Sequence, residues 1–207
     1  MAEKRLIIAT HNPAKLAELS LGVKPLIEKG IVPVSLTGLH IDADPEETGQ
    51  TFEENAILKA KFYSRLTGLP VIADDGGLTI DTLNGEPGVH SKRWLGRDAQ
   101  DTELIAYTLE RMKNVPDDKR TAALQTTLCY FNPETNALFL ESGKVAGSIA
   151  AKPSPHPVPG YPYRSLFIVS RFGKYYDELS PAEHEAINHR LQAVSRLIKQ
   201  IQPDLVK

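Results

Sequence analysis

Short apolar runs alternate with longer amphipathic stretches along this chain, the pattern of a mixed α/β protein. Leu6 to Ala9 reads as a first strand, and Pro13 to about Leu21 as the start of a helix interrupted by Gly22, Pro25 and Gly30. Ile31 to Leu36 reads as a second strand. Thr51-Phe52-Glu53-Glu54 has capping-box spacing, so a helix is expected from there to about Leu66, ahead of Gly68 and Pro70. Leu69 to Ala73 predicts a buried strand, and Leu78 to Leu83 a separate short one bounded by Asn84-Gly85. Asp101 to Met112 reads as a helix. Thr121 to Phe131 and Ala137 to Glu141 read as a hairpin turning at Asn132 to Asn136, with Gly143 to Ile149 extending the returning strand. Lys152 to Tyr163 holds five prolines and reads as an irregular loop before a strand at Leu166 to Val169. Ser180-Pro181-Ala182-Glu183 is a second capping box. Ile187, Leu191, Val194, Ile198 and Ile201 follow as one core-facing helical stripe. No internal repeat interrupts this, so residues 1–207 are expected to form one α/β domain.

Composition narrows the function more than the fold. A hydrophobic fraction of 41% supports a core, and a formal net charge of -2 gives no footing for a nucleic-acid polymer or a polybasic membrane surface. Cys129 is the one cysteine, which excludes an intrachain disulfide and a multi-cysteine zinc site. Its apolar neighbours mark it as a buried core thiol. No run approaches the length of a membrane span, and the first residues lead straight into a strand, so a cytoplasmic protein is expected.

Two polar clusters follow apolar runs and stand out as chemistry. Asp74-Asp75-Gly76-Gly77 brings adjacent carboxylates to what reads as a strand end, a placement with a reason where a cation or a phosphate-bound metal sits between them. Thr10-His11-Asn12-Pro13-Ala14-Lys15 offers a hydroxyl, an amide and an ammonium ahead of a helix. Helix amides with a lysine make an anion site, although Asn12 is equally suited to cap the helix. The glycine-rich run of a P-loop is absent. Glu46 and Glu47 lie in an acidic loop, Asp42 to Gly49. Asn55 and Lys59 share a helix face, from which Lys59 either snorkels or points at phosphate. Oxygen donors with few imidazoles suit Mg²⁺ held by one or two carboxylates and substrate phosphates.

These segments resemble the inosine/xanthosine triphosphate pyrophosphatase family. The matching stretches are IIATHNPAKLAEL at Ile7 to Leu19, EETGQTFEENAILKA at Glu46 to Ala60, IADDGGLTIDTLNGEPGVHSKRW at Ile72 to Trp94, and INHR ending at Arg190. The resemblance implies an elongated mixed central sheet flanked by helices, with two lobes and an active-site cleft between them. It implies Mg²⁺-dependent hydrolysis of a nucleoside triphosphate to the monophosphate and pyrophosphate, by a homodimer. Carried over by motif, Thr10, Asn12 and Lys15 match triphosphate contacts, and Glu46 a metal-linked glutamate. Lys59 matches a phosphate-contacting lysine, Asp75 the base or metal ligand, and His189 with Arg190 the base end of the nucleotide.

The departures fall at the base-contacting end. The usual GFGYDPIF is similar only loosely to PGYPYRSLF, Pro159 to Phe167, where Tyr161-Pro162-Tyr163-Arg164 puts an arginine in place of an aspartate. His184 stands for a usual lysine, Asn188 for a serine, and Gly76 for a substrate-contacting serine. An aspartate accepts hydrogen bonds from a purine edge, whereas Arg164 only donates. Retained phosphate motifs with an altered base loop imply a pyrophosphatase whose base preference has moved, read by Tyr161, Tyr163, Arg164, His184 and His189. A nucleotide-binding module with little turnover is the alternative.

Overall fold

The computed structural model describes residues 3–205. Its strands are β1 (Lys4–Ala9), β2 (Ile31–Ser35), β3 (Val71–Ile80), β4 (Thr121–Phe131), β5 (Leu138–Ile149), β6 (Phe167–Val169) and β7 (Lys174–Tyr175). They form a mixed sheet in the order β2-β1-β3-β4-β5-β6-β7. The helices are α1 (Pro13–Gly22), α2 (Lys24–Ile27), α3 (Phe52–Thr67), α4 (Asp101–Met112), α5 (Pro181–Ile187) and α6 (His189–Leu205). β1 runs parallel to both β2 and β3, and β6 antiparallel to both β5 and β7. Parallel neighbours need crossovers. Here α1 with α2 connects β1 to β2, and α3 connects β2 to β3. Among the described residues no helix is long and apolar enough to cross a membrane.

The chain divides into two compact units. The first holds the residues up to Asp75, Thr126–Gly143 and the residues from His189 on; the second holds Gly76–Gln125 and Lys144–Asn188. In the first, β1 is buried on both faces, which explains its unbroken apolar run. Leu6 and Ile8 pack with Leu19, Leu26, Val194 and Ile201. Ile7 and Ala9 pack with Ala56, Ala60, Tyr63 and Cys129. Burial pushes the Cys129 thiol up to about 12, the state of an inert core thiol. In the second unit Leu78, Ile80, Leu104, Met112, Val145, Phe167 and Tyr176 form the core. Buried Arg120 donates there to the carbonyls of Ile149 (2.6 Å), Met112 (2.8 Å) and Ala150 (3.0 Å), tying α4 to the end of β5.

Both capping boxes form. Thr51 Oγ1 accepts from the Glu54 amide, Ser180 Oγ from the Glu183 amide, and each glutamate reaches back. Two expectations are corrected. Leu69–Ala73 and Leu78–Leu83 are not separate strands; β3 runs through the acids and glycines as one strand. The C-terminal stripe is not one helix either. Asn188 adopts an extended conformation (φ -62, ψ 96) that ends α5. Ile187 therefore packs into the core of the second unit, while Val194, Ile198 and Ile201 pack into that of the first.

Candidate active site

The continuity of β3 decides how its two acids are used. Successive side chains of a strand point to opposite faces, so Asp74 and Asp75 do not confront each other. Asp74 is 2% exposed. Its Oδ2 pairs with Lys15 Nζ at 2.8 Å, its Oδ1 lies 3.4 Å from Arg190 Nε, and the Thr126 hydroxyl donates to it. Burial alone would raise this carboxyl, but Arg190 and Lys15 hold it well below the usual carboxylate range. Arg190 is held in turn by Glu18, with Nη1 to Oε2 at 2.6 Å. This buried chain of alternating charge, Lys15–Asp74–Arg190–Glu18, joins α1, β3 and the first turn of α6.

Asp75 uses the other face. Its Oδ1 accepts from Lys59 Nζ at 2.9 Å, and its Oδ2 from Asn55 Nδ2 at 3.3 Å. Lys59 also pairs with Glu47. Burial works against the charge on Lys59, but Asp75 and Glu47 prevail and raise its pKa, so it stays an ammonium. Burial pushes the Asp75 carboxyl up despite Lys59 and Lys15, and Glu47 adds to that push. Two carboxylates sharing one ammonium leave this cluster with excess negative charge.

The acidic loop delivers a different residue from the one expected. The side chain that reaches Lys59 belongs to Glu47, whereas Glu46 is exposed. At the other polar cluster, Asn12 is the N-cap of α1. Its Oδ1 accepts from the amides of Ala14 (2.9 Å) and Lys15 (3.2 Å), and Thr10 Oγ1 accepts from the Asn12 amide. Those two amides are thus engaged by the cap, and the cation of this cluster, Lys15, is paired with Asp74. His189 and Arg190 open α6 rather than lying inside it, and both are buried. A Cβ at Gly143 would stand 2.3 Å from the His189 carbonyl oxygen, so glycine there lets α6 start where it does.

The remaining expected residues lie in the second unit, where Arg164, Tyr161 and His184 gather around Tyr176. Arg164 is 7% exposed, with its guanidinium over the rings of Tyr161 (3.5 Å to the centroid) and Tyr176 (4.6 Å). His184 packs edge-on against Tyr176. Tyr163 donates to the Ser91 carbonyl at 2.5 Å, and burial raises its phenol. Gly76 follows Asp75 within β3, half-buried. The sequence reading named Asp74 and Glu47 among its candidate acids but gave the roles to Asp75 and Glu46, and it missed Glu18 and Thr126. For Asp74 and Glu47 the signal was present in the doubled acids. Thr126 and Glu18 meet their partners 52 and 172 positions away, and no local pattern marks them.

Among the described residues no three His, Cys, Asp or Glu side chains converge on one point. A donor set of Glu47 and Asp75 suits a hard divalent cation that takes its other ligands from phosphate oxygens and water.

A model of the Ham1 family matches residues 6–200. The chain is 39% identical over 196 residues to the dITP/XTP pyrophosphatase of Yersinia pestis, and 40% identical over 196 residues to that of Escherichia coli strain K12. Each alignment covers 94% of this chain and 96% of the relative. Its fold is similar to that of a HAM1 protein from Coxiella burnetii, with a TM-score of 0.83, 36% identity, and coverage of 97% of this chain and 99% of the other.

Proposed function

The chain belongs to the Ham1 family, and from that premise we propose that it hydrolyses nucleoside triphosphates to the monophosphate and pyrophosphate. The observation that carries this reading is the ion-pair array on both faces of β3, with Lys15 and Arg190 around Asp74 and with Lys59 between Asp75 and Glu47. Three buried or half-buried cations held in place suit a polyanion whose charge grows at the leaving group. In this reading Asp75 accepts the proton of the attacking water, and its raised pKa suits that task. Lys15, Lys59 and Arg190 meet the charge on the phosphates. Asp74 and Glu18 orient Lys15 and Arg190. The proposed cofactor is Mg²⁺, held by Asp75 with Glu47 rather than with the exposed Glu46; bound there, it would neutralise phosphate charge.

Base preference is proposed to differ from inosine and xanthosine. The support is Arg164, which stands where the family usually has an aspartate. Its guanidinium lies over the rings of Tyr161 and Tyr176, and it can only donate, through N–H groups in its own plane. A homodimer is proposed on family resemblance alone, and cytoplasmic residence as the default for a chain with no apolar run of membrane-span length.

The test is a panel of canonical and deaminated nucleoside triphosphates, with pyrophosphate and orthophosphate measured separately. Pyrophosphate release without orthophosphate is expected. So is a kcat/KM for the inosine and xanthosine substrates within ~10-fold of the best other base, the span of one good polar base contact. Orthophosphate as the first product would overturn the reaction. A preference for inosine or xanthosine well beyond that span would overturn the altered specificity.

A further inference from the structure

Asn55, Lys59 and Tyr63 lie four residues apart and so stack along one face of α3. Each reaches a segment distant in sequence. Asn55 Oδ1 accepts from the Gly49 amide at 2.8 Å while its Nδ2 donates to Asp75. Lys59 joins Glu47 to Asp75. The Tyr63 hydroxyl lies 3.0 Å from Asp44 Oδ1, 3.0 Å from the Ala43 carbonyl oxygen and 3.3 Å from His11 Nε2. His11 Nε2 is itself 3.4 Å from the Ala43 oxygen. A phenol has one hydrogen, and the Asp44 carboxylate is the strongest acceptor near it. Burial and the Asp44 charge hold the phenol well above its ordinary range, so it remains a neutral donor.

The segment from Asp42 to Gly49 has no helix or strand of its own. Its placement therefore falls to side chains. Near its start Tyr63 and His11 hold Ala43 and Asp44. At its end Asn55 holds the Gly49 amide, and Glu54 the Gln50 amide at 2.6 Å. Glu47 hangs between the two tethers.

We propose that Tyr63 is a positioning residue: with His11 it fixes the start of the acidic loop at Ala43 and Asp44, and so sets Glu47 at the distance from Asp75 that the carboxylate pair needs to hold a divalent cation. This rests on the pyrophosphatase reading for its use, but the tether itself does not.

Tyr63→Phe keeps the ring that packs in the core and removes the hydroxyl alone. Three measurements on the full chain read its effect. The first is nicking after Glu46 or Glu47 by a glutamate-specific endopeptidase, with the fragments identified by mass. The second is Mn²⁺ affinity by electron paramagnetic resonance. The third is the Mg²⁺ dependence of pyrophosphate release. Losing one hydrogen bond to a charged acceptor is expected to speed nicking, weaken Mn²⁺ binding and raise the Mg²⁺ half-saturation by ~10-fold or more each. The kcat at saturating Mg²⁺ should stay within ~2-fold, since no group that touches substrate has changed. Asp44→Asn retains a neutral acceptor oxygen and should fall between the parent and Tyr63→Phe, whereas Asp44→Ala should follow Tyr63→Phe. Unchanged nicking and Mn²⁺ affinity in Tyr63→Phe, even with a lowered Tm, would reduce Tyr63 to core packing and overturn the proposal. If the parent protein releases pyrophosphate from no triphosphate, it is the pyrophosphatase reading that fails, and nicking with Mn²⁺ affinity still decides the tether.

Discussion

Asp74 and Asp75 are neighbours with opposite burdens. Asp74 is enclosed by two cations and a hydroxyl and stays ionised, whereas Asp75 sits where burial favours its proton. Asp75→Asn should therefore cut turnover by at least ~100-fold, the scale of a lost general base, while leaving the fold intact. Near-normal turnover at saturating Mg²⁺ would remove Asp75 from the chemistry. A third carboxylate has no such role and makes a stability prediction. Asp177 accepts from the Val158 amide at 3.4 Å through one oxygen, and its other oxygen is buried with no hydrogen bond among the described residues. Burial pushes its pKa up to about 6. A carboxyl with a raised folded-state pKa is compatible with the fold while protonated and opposes it once ionised. Its contribution is thus fully present below about pH 4 and is lost as pH rises through about 6. Asp177→Asn should melt higher than the parent at pH 7.5, with the difference closing towards pH 4. Equal melting temperatures across that range would show that the carboxylate finds solvent. Composition hinted at none of these distinctions, because identical side chains differ here only by what surrounds them.

At the level of elements, β3 shows why glycines follow the acids. A Cβ on Gly77 would stand 2.0 Å from Ser91 Oγ and 2.9 Å from the Gly88 carbonyl oxygen. Ser91 Oγ accepts from the Leu78 amide at 3.1 Å and donates to Gly88 at 2.6 Å, so it is not placed to give way. Gly77→Ala is expected to destabilise by ~1–3 kcal/mol through overpacking, read as a lowered urea midpoint. A midpoint equal to the parent's would mean that the Ser91 turn relaxes at no cost. The glycine pair reads from sequence as a chain break, since glycine commonly ends a strand, and only the neighbouring turn shows it to be a close approach inside one. α3 was legible in advance from its capping box and its closing Gly68. The four-residue step from Asn55 to Lys59 was visible too. Its extension to Tyr63 was not read from the sequence, and the ring of Tyr63 is buried in the core. The break at Asn188 was also hidden. Ile187 keeps helical spacing with Leu191, yet packs in a different core from the residues that follow it.

For the whole molecule, family resemblance leads to a homodimer as the expected assembly, and sedimentation at micromolar concentration should give twice the 22.8 kDa chain mass. A species of single-chain mass at that concentration would contradict it. The α/β class, the order of most elements, both capping boxes and the family were determined by the sequence itself. Hydrophobic period, cap residues and motif spacing act over a few neighbouring positions, and so they survive in a one-dimensional reading. The tertiary structure decided that the doubled acids serve opposite faces of one strand, that Glu47 rather than Glu46 reaches Lys59, and that Arg190 bridges Asp74 to a glutamate 172 positions away. It also decided that the Arg164 guanidinium lies over the rings of Tyr161 and Tyr176. A buried charge is stable only against a partner of opposite sign at bonding distance, and which residue arrives at that distance is settled by how strands and helices pack.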